Sequence, residues 1–311
     1  EVCNSTMKKL ISFCIAIFLT STLCASNFVM ITDLGTSAKS IALGNIDGYS
    51  NSASAIFTNP ASLTHTKGHS IALFGTTLMD QVNYYSVSFS TRIFAGTLGL
   101  GVFEQSTNNI PRTAQKTIEE DLDQTIYQIG SFDYKNSVVK ASYQAMLTKK
   151  LSMGLNYSLY SIVFDGYDGT GSNFDLGLFY KLNNVGVSVF TQNIIPKQYV
   201  VFSNSNKELL PTTVSTSIVY PIKSFTVIPQ VKYSKRNVLI SSGLRYSPGF
   251  LPFLSLMAGY KQQLDYSLEK HQKVTLGLEL RLFDLHLHYA YERSDYYLTD
   301  NNNYFSIQYN L

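Results

Sequence analysis

From His69 to its last residue the chain breaks into segments of about ten residues in which apolar and polar side chains alternate at a period of two. A strand turns successive side chains to opposite faces, so alternation gives each segment one apolar and one polar face. Leu151, Met153, Leu155, Tyr157 and Leu159 share one face, against Ser152, Gly154, Asn156 and Ser158. Val274, Leu276, Leu278, Leu280 and Leu282 likewise oppose Lys273, Thr275, Gly277, Glu279 and Arg281. A helix would scatter those charges around its girth. Fourteen such segments centre near Leu73, Val87, Leu100, Tyr143, Leu155, Leu178, Val187, Thr216, Val231, Gly243, Leu256, Leu278, Leu287 and Ile307. An even number of two-faced strands is what a bacterial outer-membrane barrel requires. The Leu73 segment alternates least cleanly, and Pro229 is expected to sit at a bulge, because proline cannot donate to a ladder.

The links sharpen this reading, since such barrels have short turns on the periplasmic side and longer loops outside. Links after even-numbered strands are short, as at Thr91-Arg92, Asn183-Asn184 and Phe283-Asp284. After odd-numbered strands most are long: Glu104 to Ser131, Phe164 to Ser172, Gln192 to Pro211, Gln262 to Gln272 and Arg293 to Asn303. Asp80-Gln81 and Ser234 to Asn237 break the rule. The chain ends on a strand with Phe305, Ile307, Tyr309 and Leu311 on one face, an ending that resembles the signal read by the barrel-insertion machinery.

Composition agrees. Charged residues make up 14% of the chain, against roughly 25% in an ordinary soluble domain. Tyrosine (22) and phenylalanine (19) are abundant, tryptophan is absent, and no apolar run after the N-terminus is long enough for a spanning helix. A membrane β-barrel fits this; a secreted β-sandwich has the same composition but no reason to alternate its link lengths. Met7-Lys8-Lys9, the apolar stretch Leu10 to Leu19 and the small-residue exit Cys24-Ala25-Ser26 read as a signal peptide over 1–26, with 1–6 upstream of the true start. Cleavage there would remove Cys3, Cys14 and Cys24, leaving no thiol for a disulfide or zinc site. It would also leave 22 basic against 20 acidic residues, too balanced for a nucleic-acid binder.

Between signal and barrel, residues 27–68 read as a plug. In GTSAKSIALGNIDGYSNSASAIFTNPASL, Gly35 to Leu63, Ser37 can cap a short helix through Leu43, and Gly44 would end it in a left-handed conformation. A second short helix is expected from Ser52 to Phe57, and Pro60 stops it. Gly35, Ala38, Leu43, Gly44, Ala53, Ser54, Ala55, Asn59, Pro60, Ala61 and Leu63 together resemble the N-terminal segment of the PorV/PorQ family of outer-membrane proteins, relatives of the FadL-type transporters. The resemblance covers about a tenth of the chain. It implies two roles: PorV/PorQ-like proteins serve type IX secretion, delivering or anchoring exported proteins, while FadL-like proteins move hydrophobic molecules across the outer membrane. The short mature chain favours the first.

Candidate chemistry is sparse. His286 and His288 share a strand face, here the lumen side, with no further ligands identifiable by spacing. Glu279, Arg281 and Glu292 share that inward character and read as an ion-pair network. Gly166, Gly169 and Gly171, with Asp165 and Asp168, fit turn chemistry better than a phosphate or calcium loop. Glu119, Glu120, Asp121 and Asp123 read as a solvated loop face. A Ser/His/acid hydrolase would need a nucleophile that nothing marks. The sequence therefore predicts an all-β transmembrane antiparallel barrel over 69–311 with an N-terminal plug. It is expected to be non-enzymatic, without cofactor or metal. Its partners would be outer-membrane lipid, the barrel-insertion machinery, and secretion-system components or exported proteins. The plug motif is Gly44, Asn59, Pro60 and Ala61, and a FadL-like channel for hydrophobic small molecules is the alternative function.

Overall fold

The computed structural model describes residues 31–66, 68–78, 81–117, 124–264, 268–293 and 301–311. The expected signal peptide and the acidic cluster Glu119, Glu120, Asp121 and Asp123 lie outside the described residues.

Period-two alternation gives an antiparallel sheet with one wettable and one oily face, and closing it leaves no unpaired edge. The strands are β1 (His69–Leu78), β2 (Val82–Ile93), β3 (Gly96–Thr117), β4 (Gln124–Met146), β5 (Leu151–Phe164), β6 (Tyr167–Leu182), β7 (Val185–Gln192), β8 (Tyr199–Phe202), β9 (Lys207–Leu209), β10 (Thr213–Ile222), β11 (Phe225–Ser234), β12 (Asn237–Tyr246), β13 (Leu254–Leu264), β14 (Lys270–Leu282), β15 (Leu285–Glu292) and β16 (Asn302–Asn310). Fourteen of them, all but β8 and β9, pair in chain order, and β1 closes on β16 with Leu73 opposite Ile307. Each of the fourteen predicted centres falls in a different barrel strand, in order.

The outward face is a belt of Val87, Leu100, Leu155, Ile240, Leu256 and Leu276, all exposed. Aromatic side chains stand at its two margins: Tyr143, Tyr220, Phe225 and Tyr309 toward the short turns, and Tyr85 and Phe305 toward the other end. That is the girdle arrangement of a bilayer-spanning barrel.

Three expectations about links and strands need correction. The link from Glu104 to Ser131 is mostly strand, because β3 and β4 continue beyond the barrel. Past Ser106 and Tyr134 they pair only with each other, as a projecting ribbon. The stretch Phe164 to Ser172 is a two-residue turn, with Asp165 (φ 51°) and Gly166 (φ 81°) both left-handed, the Asp-Gly hairpin geometry. Pro229 sits at no bulge: β11 keeps one register with both neighbours, and the β10 ladder merely lapses at Ile218 and Val219, opposite the missing N–H. Pro229 also points outward and is exposed.

Inside the barrel, helix α1 (Ala38–Ala42) packs against β13 to β16, a 3-10 turn at Ala53–Phe57 against β1 to β4, and another at Pro60–His65 against β3 to β6. The Ser52 to Phe57 segment is thus 3-10 rather than α-helical; five residues of mainly small side chains gain little from another hydrogen-bond pattern. Irregular backbone at membrane depth is tolerated only when buried in protein, as here.

Candidate functional site: a plugged, aromatic-lined lumen

The plug is seated by glycines on the wall. Gly44 adopts φ 79° after α1, as its place past the helix end requires, and its backbone lies against Gly259 and Tyr260 of β13. Any Cβ at Gly259 would strike the Gly44 nitrogen, one at Gly154 would strike Pro60 and Ala61, and one at Gly177 would strike the Asn59 side chain. Sequence reading missed this seat, although glycine inside an alternating strand signals close approach of another backbone.

Asn59 is the neutral anchor. Fully buried, its Nδ2 donates to the Leu178 carbonyl (3.1 Å), Ser188 Oγ (2.6 Å) and the Val189 carbonyl (3.3 Å), while Oδ1 accepts from Ala61 N–H at 2.9 Å. Pro60 follows as the first residue of the next turn, where its missing N–H is no loss. Ala61 is fully buried, and its carbonyl accepts from Ser152 Oγ at 2.9 Å.

On the opposite flank the plug meets charge. Glu279, 1% exposed, accepts Arg245 Nη2 at 2.7 Å and a contact from His286 Nδ1 at 3.0 Å; His288 Nε2 lies at 3.6 Å and Arg281 Nε at 4.0 Å. Lys39 of α1 reaches the same neighbourhood, bonding Asn51 Oδ1 at 2.7 Å over the Tyr49 ring. Burial pulls its ammonium below the ordinary lysine value, opposed by Tyr49 and Glu279. Glu292 forms a separate cluster with Lys261 (2.5 Å) and Lys273 (3.2 Å). The structure thus brings Glu279, Arg281, His286 and His288 together and leaves Glu292 apart.

Ligand atoms of Glu279, His286 and His288 lie within 4.8 Å of one another, a spacing a metal ion could use. The surroundings suit a divalent cation poorly, because Arg245 already occupies the carboxylate and Lys39 and Arg281 add positive charge. Nor is there a hydrolase triad among the described residues. Ser306 faces His288 across the β15–β16 pair, but its Oγ accepts the Ala38 N–H at 2.8 Å.

The lumen is not polar throughout: its outer half is apolar and aromatic. Phe74, Tyr84, Phe103 and Tyr304 point inward and pack ring on ring, with Tyr84 and Phe103 edge to face at 4.8 Å. Phe57 of the plug meets Phe103 at 5.3 Å and forms the floor. Val200 and Leu210, both buried in the same cluster, come from the excursion between β7 and β10, where the sequence predicts an outer loop from Gln192 to Pro211. It instead carries β8, paired to the outer end of β6, and β9. Asn193 Nδ2 on the Pro211 carbonyl (3.0 Å) and Asn173 Nδ2 on the Ile195 carbonyl (3.0 Å) pin the excursion over the barrel. The aromatic signal was present in sequence as adjacent apolar pairs: Leu73-Phe74, Tyr84-Tyr85, Val102-Phe103 and Tyr304-Phe305 each break alternation by making both faces apolar.

No family model and no curated protein matches the sequence. Solved structures do match in fold. A toluene transporter of Pseudomonas putida, TodX, superposes with a TM-score of 0.63 at 14% identity, over 89% of this chain and 99% of its own. The toluene transporter TbuX of Ralstonia pickettii gives 0.62 at 11%, over 89% and 98%. The monoaromatic hydrocarbon channel CymD gives 0.61 at 13%, over the same shares. The likeness is one of fold and does not carry the PorV/PorQ resemblance further: this chain is a closed fourteen-stranded antiparallel β-barrel with its N-terminal segment packed inside.

Proposed function

We propose that the protein is an outer-membrane channel that admits small hydrophobic molecules and carries out no catalysis. The observation behind this is the packed aromatic cluster in the outer half of the lumen, with Phe57 of the plug beneath it and Val200 and Leu210 of the excursion beside it. These rings are buried against one another, and an apolar solute passing between them would gain the transfer energy of its own surface, roughly 25 cal/mol per Å². That solved barrels of this fold include a toluene transporter and a monoaromatic hydrocarbon channel supports the same reading. The secretion role implied by the PorV/PorQ resemblance has no observation of this kind behind it.

The test is uptake of radiolabelled toluene by cells whose own hydrocarbon channels are deleted. Expression should put the protein in the outer membrane, with the shifted gel migration of an unboiled barrel, and raise uptake. Phe103→Arg, which puts a charge among the packed rings, should return uptake to background while the barrel still inserts. Uptake indifferent to the protein would end this reading.

A further inference from the structure

An apolar space lies at the other end of the lumen from the aromatic cluster. Between the plug segment 48–51 and the inner ends of β6, β7, β10 and β11 is a cavity of about 310 Å³. Its walls include Tyr49, Phe179, Val185, Val219 and Pro221, with His65 at its edge. Small-molecule sites begin at roughly 300 Å³ and are lined mostly by apolar and aromatic side chains with a few polar groups. This one is therefore sized for a single small ring.

Two details show that the space is shaped. His65 and Phe179 stand edge to face, centroids 4.7 Å apart at 89°, the arrangement an aromatic guest could extend. Gly186 allows the Phe179 ring to lie back against the wall, because a Cβ there would come 2.6 Å from its Cζ. Among the described residues no carboxylate lines the cavity and Lys181 is the one charged side chain on it, since burial lowers the His65 pKa to about 4 and keeps its imidazole neutral. A cation beside a ring face favours an aromatic guest over an aliphatic one and repels a cationic guest.

The plug forms the inner wall. Gly48 is wedged between Ser188 and Ser217, where nothing larger fits, and Tyr49 Oη accepts from Arg245 at 2.9 Å. The cavity and the charged cluster thus share one wall residue, Tyr49.

We propose that this inner cavity binds one small uncharged aromatic molecule and is the last station on a path through the barrel, beneath the plug, on the side of the short turns. The inference rests on the channel reading, but it assigns a separate site. The chain's cysteines are confined to Cys3, Cys14 and Cys24, so a spin label can be placed uniquely.

The experiment uses the full chain with those three changed to Ser, reconstituted in lipid nanodiscs, a nitroxide at Asn184→Cys on the cavity rim, and 4-fluorotoluene as the probe. Fluorine NMR should show saturable broadening of the probe by the label. Val219→Phe, which fills the cavity, and Gly186→Ala, which drives Phe179 into it, should each weaken that binding at least tenfold while unboiled migration shows an intact barrel. Phe103→Arg should leave it unchanged. Absence of broadening, or broadening that survives both filling variants, would overturn the proposal while uptake by the wild type keeps the channel reading. Saturable broadening in a protein that supports no uptake would uphold the cavity as a binding site and sink the channel instead.

Discussion

The two flanks of the plug are held in opposite ways. Around Asn59 every partner is a neutral main-chain or hydroxyl group, and the backbone comes close because Gly154 and Gly177 clear the way. Around Glu279 one carboxylate answers Arg245, Arg281, two histidines and, across the plug surface, Lys39. Neutral hydrogen bonds each contribute modestly and nearly independently, whereas a buried charge cluster stands or falls together, because removing one member leaves the others desolvated and unpaired. The Asn59 flank sets where the plug sits. The Glu279 flank couples the plug segment carrying Lys39 and Tyr49 to the wall.

That contrast ranks the substitutions. Glu279→Gln should be the most damaging, since Arg245 and Lys39 lose their counter-charge in a site that excludes water; breaking a buried pair this way costs about 3 to 5 kcal/mol. Denaturant unfolding from lipid vesicles measures it, and a loss below 1 kcal/mol would mean that water already screens the cluster. Asn59→Ala comes next. It strips the Leu178 and Val189 carbonyls and Ser188 of a donor, costing about 1 to 3 kcal/mol, and it should make the barrel leaky to small hydrophilic antibiotics as the plug loosens. Intact exclusion would show that the glycine seat alone holds the plug.

The smallest effect is expected from replacing His286 and His288 together by Asn. It removes one contact to Glu279 and a long approach, and should cost no more than about 1.5 kcal/mol with toluene uptake unchanged. A general base would reveal itself instead by a rate loss of about 10²-fold to 10⁴-fold in a hydrolytic assay. Such a loss would move both histidines from bracing to chemistry and break the comparison at its charged end.

Strand positions were readable because alternation is local: each residue's face follows from its neighbours two places away, as at Leu276, Leu278 and Leu280 against Glu279 and Arg281. The Ser37 cap and the left-handed Gly44 were readable for the same reason, since a helix end is settled within a few residues. What lies across the barrel was not. Glu279 meets Arg245 and Lys39 from places far apart in the chain, and no spacing rule connects them. The ribbon of β3 and β4 was mistaken for a loop because residues such as Thr113 and Gln128 carry no buried face to enforce alternation, and pairing with each other is all that orders them. By itself the sequence determined the number of barrel strands, the lipid-facing side of each and a small-residue plug, because hydrophobic burial acts face by face along the chain. The aromatic cluster, the charged flank and the inner cavity were decided only by the closed tertiary structure. Barrel closure brings side chains from distant strands together with the plug, and their contact depends on strand register, which one face's pattern does not contain.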